Sequence, residues 1–454
     1  MKYDIIIIGA GLTGLTTAFH LCRKGKKVML IEKTDRIGGQ IHTFKDGDFI
    51  YESGPNTGVV SYPEIAELFQ ALEPSCEMAI AREESKCRLI WKGNRFHALP
   101  SGLFSAITTP LFSLKDKFRI LGEPFRSKGT DPNESVGKLA RRRLGKSFVD
   151  YAVDPFLSGV YAGDPMKLTT RYALPKLYNL EQNYGSFIKG SIAKAKLPKT
   201  NRDKLATKKI FSAEGGLESL TRAMATNIGM NNFVLGAEGT EINPLDSSKW
   251  IVSYYKENKK MEVECNKVIT TSGAYTLPQL LPFVGLDDMN KICNLIYAPV
   301  VQVSVGVKDT EGINFKAFGG LVPSREKRNV LGILYPSSCF YHRAPQKGAL
   351  FSFFIGGVRH PEMIDKSDEE LTKLVEKEFH DMLKFPSHKR PDMIKIFRHY
   401  HAIPQYREDS EDRYATIEKL QKEFTGLIIA GNLRDGIGMA DRIRQGTKIA
   451  SEIE

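Results

Sequence analysis

Tyr3-Asp4-Ile5-Ile6-Ile7-Ile8-Gly9-Ala10-Gly11-Leu12-Thr13-Gly14 is an apolar, β-branched run that ends in glycines spaced as G-x-G-x-x-G. Residues 3–8 have the character of a strand buried on both faces, because strands in parallel sheets read as continuous apolar runs. Residues 16–23 follow as a helix with Leu15, Phe19 and Cys22 on one face, and 27–31 as a second buried strand ending at Glu32. The unit is β-α-β. Gly9 permits the tight turn, Gly11 lets backbone approach a pyrophosphate, and Gly14 lets helix and strand pack closely. Leu12 and Thr13 complete a turn whose following helix offers free N–H groups and partial positive charge to an anion. Glu32, about 20 residues past the glycines, is placed to hydrogen-bond a ribose hydroxyl, and its charge would repel the extra phosphate of NADP.

The chain has 454 residues, 41% of them hydrophobic, enough for large cores and for two or three domains. Cys22, Cys76, Cys87, Cys265, Cys293 and Cys339 show neither CxxC nor zinc spacing, so they read as reduced thiols of a protein on the cytosolic side. Residues 5–22 lack Asp, Glu, Lys and Arg, but their glycines and threonines belong to the nucleotide turn, not to a signal peptide or a membrane span. Residues 101–209 hold 21 Lys or Arg against 9 Asp or Glu, a surplus equal to the whole chain's net charge of +12. That region shows no helix-turn-helix, zinc spacing or interleaved RNA-binding aromatics, which argues against nucleic acid. Anionic lipid or a polycarboxylate substrate fits better, with a merely solubilising basic face as the plain alternative.

Glu32-Lys33-Thr34-Asp35-Arg36-Ile37-Gly38-Gly39 resembles the E-x-x-x-R-x-G-G extension of the superfamily of FAD-binding amine oxidases, phytoene desaturases and protoporphyrinogen oxidases. Arg36 suits a phosphate or ribose, and the paired glycines let backbone run close to the cofactor. Glu52-Ser53-Gly54-Pro55-Asn56 is similar to the superfamily segment beside the isoalloxazine ring.

Residues 63–72 read as a helix, and Arg88-Leu89-Ile90-Trp91-Lys92-Gly93-Asn94-Arg95-Phe96-His97-Ala98-Leu99-Pro100 as a hairpin with a Gly-Asn turn. The pattern R-x-I-x-x-G-x-x-x-x-L-P resembles the oxygen-dependent, FAD-containing protoporphyrinogen oxidase family, whose matching arginine, here Arg88, is implied to meet a substrate propionate. Apolar residues then cluster as Leu103, Phe104, Ile107, Leu111, Phe112, Leu114, Phe118, Ile120 and Leu121, broken at Pro110. Alone this is a core helix pair or a membrane face; the family places a membrane-binding helical domain here. Ser158-Gly159-Val160-Tyr161-Ala162-Gly163-Asp164 carries the family's G-V-[YF]-A-G-[DN], with Gly159 implied to lie against the substrate.

Residues 194–209 read as an exposed Lys-rich linker, and Phe211-Ser212-Ala213-Glu214-Gly215-Gly216-Leu217 as a return toward the nucleotide-binding domain before a helix from Glu218. Strands at 232–242, 250–255 and 267–271 follow, and the superfamily's adenine contact is implied near Thr240 and Glu241. Strands at 300–307, 319–323, 329–335 and 349–355 and a helix at 368–383 make a sheet on which Leu331 and Phe354 correspond to apolar pocket residues; as bare sequence both are also ordinary core residues. Ala402-Ile403-Pro404-Gln405-Tyr406 matches a family motif. His399 and His401 beside it lack a third ligand at fitting spacing, so no metal is expected. Last come a strand at 426–430 and the turn Gly431-Asn432-Leu433-Arg434-Asp435-Gly436-Ile437-Gly438-Met439, where Gly431, Asn432, Ile437, Gly438 and Met439 are implied to contact FAD.

The resemblance thus implies an α/β chain with a Rossmann-like FAD-binding domain of the glutathione-reductase-2 type (1–60, 205–275, 425–454), a mixed-sheet substrate domain (61–87, 276–424) and a helical membrane-binding domain (88–204). It implies six-electron oxidation of protoporphyrinogen IX, with hydride passing from a methylene bridge to the flavin, oxygen as acceptor and no catalytic side chain beyond the flavin. Asn56, implied to touch substrate as well as FAD, stands where some members carry Arg, and Gln40 where some carry Trp, so coproporphyrinogen III stays open as the substrate. Flavin amine oxidases, carotenoid desaturases and a flavin-bound membrane scaffold are the rival readings, although neither an amine-oxidase lysine with its aromatic cage nor a long apolar tunnel is evident. The expected setting is the inner face of the cell membrane, with anionic lipid, hand-over to a ferrochelatase and a homodimer among the partnerships.

Overall fold

The computed structural model describes residues 2–246 and 249–454, apart from the side chains of Lys2 and Leu103. Strand Lys2–Ile8, helix Leu12–Arg23 and strand Val28–Ile31 form the opening unit, the strands parallel with Ile5 beside Val28 and Ile8 beside Ile31. The unbroken apolar run is explained by two cores. Ile5 and Ile7 pack with Phe19, Ile443 and Ala450, whereas Ile6 and Ile8 pack with Trp250, Val268, Leu277 and Tyr406. Phe233–Val234 extends the sheet beyond Val28–Ile31; Lys259–Thr270 lies on the other side of Lys2–Ile8, with Leu427–Ile429 beyond it, all parallel. Trp250–Lys256 pairs antiparallel with the first half of Lys259–Thr270, and Glu238–Pro244 closes the sheet antiparallel to Trp250–Lys256. The carboxyl ends of the parallel strands therefore gather Gly9, Glu32, Thr271 and Gly431 at one edge, where open α/β sheets take ligands.

A second sheet runs in the order Met393–Pro404, Tyr297–Val307, Ala349–Gly356, Gly332–Leu334, Gly319–Leu321, Arg88–Lys92, Arg95–Ala98. Gly93 and Asn94, at φ 57° and 66°, make the two-residue turn of the last hairpin. One face of the sheet packs on helix Asp368–Leu383 through Leu371, Val375 and Phe379. The other turns toward the first sheet. Strand Met393–Pro404 escapes the sequence reading because Lys395, Arg398 and His399 interrupt its apolar alternation, as befits an edge strand. The chain crosses between the sheets where Ile210–Ala213 pairs with Gly58–Val59 and Met78–Ile80.

From 103 to 204 the regular structure is helical, and its frame is ionic. Arg143, fully buried, donates to Glu123 Oε1 at 2.7 Å and to Glu181 Oε1 at 2.6 Å, while Arg142 reaches Glu134 at 2.7 Å and Glu181 at 2.8 Å. The apolar segment around Pro110 divides. Leu111 and Phe112 are buried with Ile90 and Tyr151, whereas Phe104, Ile107, Leu114, Phe118 and Leu121 are 67–81% exposed. Leu103, counted in that segment, lies outside the described side chains. The supposed linker also holds a helical turn, Asn201–Lys204, closed by a Thr200–Asp203 capping box. Among the described residues no helix is long and apolar enough to cross a membrane, and all six cysteines are free thiols.

Candidate functional site: a dinucleotide cradle facing an apolar sheet wall

Gly9, at φ 104°, turns the chain from strand to helix; a Cβ there would lie 2.7 Å from Thr271 Oγ1, and one on Gly14 would lie 2.0 Å from Gly9 O. These two are closed by packing. Gly11 is not: a Cβ on it would meet nothing nearer than Gly39 Cα at 4.0 Å. Gly11 is also the N-cap of helix Leu12–Arg23, with no side-chain cap and no acidic residue in the first turn, so the helix end is left for an anion. Gly38 N–H donates to Ala10 O at 2.8 Å, and the paired glycines thereby lie against the loop. The Glu32 carboxylate rests on the same loop, accepting from Ala10 N–H at 2.8 Å and from Thr34 N–H and Oγ1 at 2.9 Å each. Free space at Gly11, an uncapped helix end and a fixed carboxylate fit the pyrophosphate and ribose of FAD.

Several expected contacts fall differently. Arg36 donates to the carbonyls of Ile37, Ile41 and Gly39, the last at 2.5 Å, so its charge braces the Gly38-Gly39 turn instead of reaching outward. Lys33 is exposed. Thr240 and Glu241 lie along the edge strand Glu238–Pro244, past a bulge; the backbone touching the Glu32 segment is that of Val234, Gly236 and Ala237, a few residues earlier. Gly431, at φ 103°, donates N–H to Gln445 Oε1 at 2.9 Å, and Asn432 O accepts from Tyr406 Oη at 2.7 Å. Gly438 caps the last helix, Met439–Glu452, with Asp441 Oδ2 accepting its N–H, and Ile437 and Met439 pack into the two cores.

The segment Glu52–Asn56 hangs between the sheets, held by groups the motif does not reveal. Gln302 Nε2 donates to Glu52 O at 2.6 Å, and His399 Nε2 donates to Ser53 O. Burial lowers the His399 pKa and keeps the ring neutral. A Cβ on Gly54 would lie 2.2 Å from Gln40 O, so backbone meets backbone there; Pro55 beside it is half-buried. The Glu52 carboxyl, pushed up by burial, faces Arg343 at 3.2 Å and accepts from Thr43 Oγ1 and Leu217 N–H. Asn56, expected to touch substrate, uses both ends of its amide inside the protein: Nδ2 donates to Gly54 O and Oδ1 accepts from Ser352 Oγ at 2.9 Å. It is a support, because a buried amide must satisfy both its donor and its acceptor.

Strand register places the remaining candidates. Ile90, Leu321, Gly332, Phe354 and Gln302 stand side by side across the second sheet, and so share the face turned to Glu52. The neighbouring row runs Arg88, Gly319, Leu334, Ser352. Leu331 and Phe354 are half-buried and, like Ala402 and Ile403, pack against the buried cluster of Ala162, Ala298 and Val300. Gly159, exposed on helix Asp154–Tyr161, has Leu321 against it: a Cβ there would lie 2.4 Å from Leu321 Cδ2. Arg88 is exposed, with its guanidinium 5.9 Å from the Phe318 ring and no carboxylate partner among the described residues. Sequence reasoning missed the Tyr275–His401 stack, centroids 4.0 Å apart, beside the Gly431–Asn432 turn that Tyr297 Oη contacts. Nothing in the local pattern links residues so far apart. No group of three His, Cys, Asp or Glu among the described residues could hold a metal.

Comparison with known proteins agrees with this geometry. Protoporphyrinogen oxidase 2 of Arabidopsis thaliana is 27% identical over 98% of this chain and 92% of its own length. Coproporphyrinogen III oxidase of Bacillus subtilis is 24% identical, covering 99% and 98%. A solved structure from Exiguobacterium sp. 255-15, 21% identical, matches 99% of this chain and 98% of its own with a TM-score of 0.82, and so shares the fold. The family profile described as flavin containing amine oxidoreductase matches residues 12–453. The chain belongs to that family of flavin-containing oxidoreductases, with FAD as its cofactor.

Proposed function

We propose that the protein oxidises a porphyrinogen, protoporphyrinogen IX to protoporphyrin IX, with coproporphyrinogen III to coproporphyrin III as the second reading. The carrying observation is the sheet face opposite Glu52–Asn56: an apolar wall of Leu321, Leu331 and Phe354 with the unpaired cation Arg88 in the adjoining row. A flat apolar macrocycle with carboxylate arms matches such a surface. Full-length likeness to proteins named for these two substrates supports the reading and leaves the choice between them to experiment.

When bound, FAD supplies the acceptance of a hydride, two electrons at a time. The protein's own part is to bind, orient and exclude water. Gly11 and the uncapped helix end would hold the pyrophosphate, Glu32 would meet a ribose hydroxyl, and the backbone of 53–56, fixed by Gln302 and His399, would support the flavin. Arg88 offers its fork to one propionate, and Leu331 and Phe354 keep the reacting face dry. The test is anaerobic stopped-flow mixing of the purified holoenzyme with protoporphyrinogen, coproporphyrinogen and simple amines in parallel. Porphyrinogens should bleach the flavin absorption; bleaching by amines alone would overturn the reading.

The helical part is read as attaching to an anionic membrane surface, on the inner face of the cell membrane. Its exposed Phe104, Ile107, Leu114, Phe118 and Leu121 support shallow insertion, and the surplus of Lys and Arg supports electrostatic attraction. Co-sedimentation with anionic vesicles should fall on Phe104→Ser with Phe118→Ser. Leu111 and Phe112 are unsuitable for this test, since both are buried and their loss would damage the core.

A further inference from the structure

Helices Leu114–Leu121 and Val136–Arg143 flank a groove of about 700 Å³ that no step of the proposed reaction uses. Lys115 and Arg119 line it from the first helix, Lys138 and Arg141 from the second, and Lys146 from the turn that follows. Two carboxylates also line it, and both are engaged elsewhere. Asp116 Oδ2 accepts from Ser147 N–H and Oγ at 2.7 Å each, and Glu134 holds Arg142 at 2.7 Å. Among the described residues no ion pair holds Lys115, Lys138 or Arg141, whereas Arg119 Nη2 donates to Arg142 O at 2.8 Å and Lys146 pairs with Asp150 at 2.6 Å. Lys115, Lys138 and Arg141, like charges gathered without carboxylate partners, repel one another, and an anion entering the groove relieves that repulsion.

The position of the groove names its occupant. At about 100° per residue, Lys115 and Arg119 fall within roughly 40° of each other on their helix, and exposed Leu114, Phe118 and Leu121 within roughly 60° on the adjoining face. The cationic groove therefore borders the apolar stripe along one short helix, and not the sheet wall that carries Arg88. A phospholipid presents this same pairing of a phosphate next to acyl chain. We propose that the groove binds the phosphate of an anionic phospholipid headgroup while the stripe enters the membrane beside it. The inference rests on the membrane reading above and adds to it a discrete site, with guanidinium and ammonium donors converging on phosphate oxygens.

The test uses the full-length holoenzyme and two double variants of equal charge loss: Lys138→Gln with Arg141→Gln in the groove, and Lys194→Gln with Lys196→Gln on an exposed helix of the same basic region. Partition onto phosphatidylglycerol–phosphatidylcholine vesicles is compared with partition onto phosphatidylcholine alone. Monomeric dihexanoyl-phosphatidylglycerol and inorganic phosphate are each titrated by calorimetry. The expected result is that the groove pair weakens vesicle binding about tenfold more than the control pair, each cation of a diffuse surface counting for about fivefold. Dihexanoyl-phosphatidylglycerol should bind the unaltered protein and not the groove variant. Equal losses in the two pairs, with binding to anionic vesicles retained by the unaltered protein, would overturn the site and leave membrane attachment standing. Groove-dependent binding of inorganic phosphate without vesicle binding would overturn the lipid assignment, and absence of both would overturn both. Unchanged flavin content and circular dichroism confirm that the variants fold.

Discussion

Gly11 and Arg88 test the two halves of the site without disturbing its frame. Because a Cβ on Gly11 meets no atom within 4 Å except Gly39 Cα, Gly11→Val should fold, yet its branched side chain enters the space assigned to the pyrophosphate. Protein purified from this variant should lack flavin absorption while keeping its thermal unfolding midpoint as apoprotein; full flavin occupancy would displace the cofactor from the loop. Arg88 is exposed and unpaired, so its removal leaves no buried charge behind. A charge-assisted bond to carboxylate contributes roughly 1.5–3 kcal/mol, so Arg88→Ala should weaken porphyrinogen binding by about one to two powers of ten at unchanged FAD content. Unaltered kinetics would return Arg88 to a hairpin surface charge.

The helices from 103 to 204 hold together through a buried ion network as well as through apolar packing. Arg143 is fully buried and meets both Glu123 and Glu181, so replacing it by Met leaves the buried Glu123 without its cation and Glu181 with Arg142 alone. Breaking a buried pair from one side costs about 3–5 kcal/mol. Arg143→Met should accordingly lower the unfolding midpoint in urea, and limited proteolysis should cut first between 103 and 204. The sheets, whose cores do not include Arg143, should resist longer.

Acid should open the molecule from the same end. Burial alone would raise Glu123 and Glu181, but hydrogen bonds from Ser186 to the one and from Arg142 and Arg143 to the other, with the guanidinium charges, hold both below their ordinary value of 4.5. Their stabilisation is complete above that value and is lost as pH falls through the lower folded values. Glu52 between the sheets is shifted upward by burial despite Arg343, so it protonates at higher pH than Glu123 and Glu181, and by the sign of its shift that protonation does not weaken the junction. Amide exchange followed as the pH is lowered below 4.5 should therefore show residues 136–143 and 175–184 losing protection first while 5–8 remain protected; the reverse order would refute the linkage.

Residues 2–32 were legible because each signal there is local: a β-branched run, three glycines at fixed offsets and a terminal Glu together fit a parallel βαβ turn. The hairpin at Gly93-Asn94 and the helix Asp368–Leu383 declare themselves for the same reason. Motif reading also singled out Leu331, Phe354 and Arg88; strand register sets Phe354 and Arg88 in adjoining rows, and Leu331 packs in the same cluster as Phe354. Tertiary structure alone decided which groups are free. Arg36 turned inward because three carbonyls of its own loop reach it, and Asn56 was taken up by Gly54 and Ser352, partners 2 and 296 residues away. Leu111 and Phe112 went into the core while Phe104 and Phe118 stayed outside, although all four look alike in sequence. Local pattern fixes the backbone's choices over a few residues; whether a side chain faces protein or ligand depends on what distant chain is packed against it.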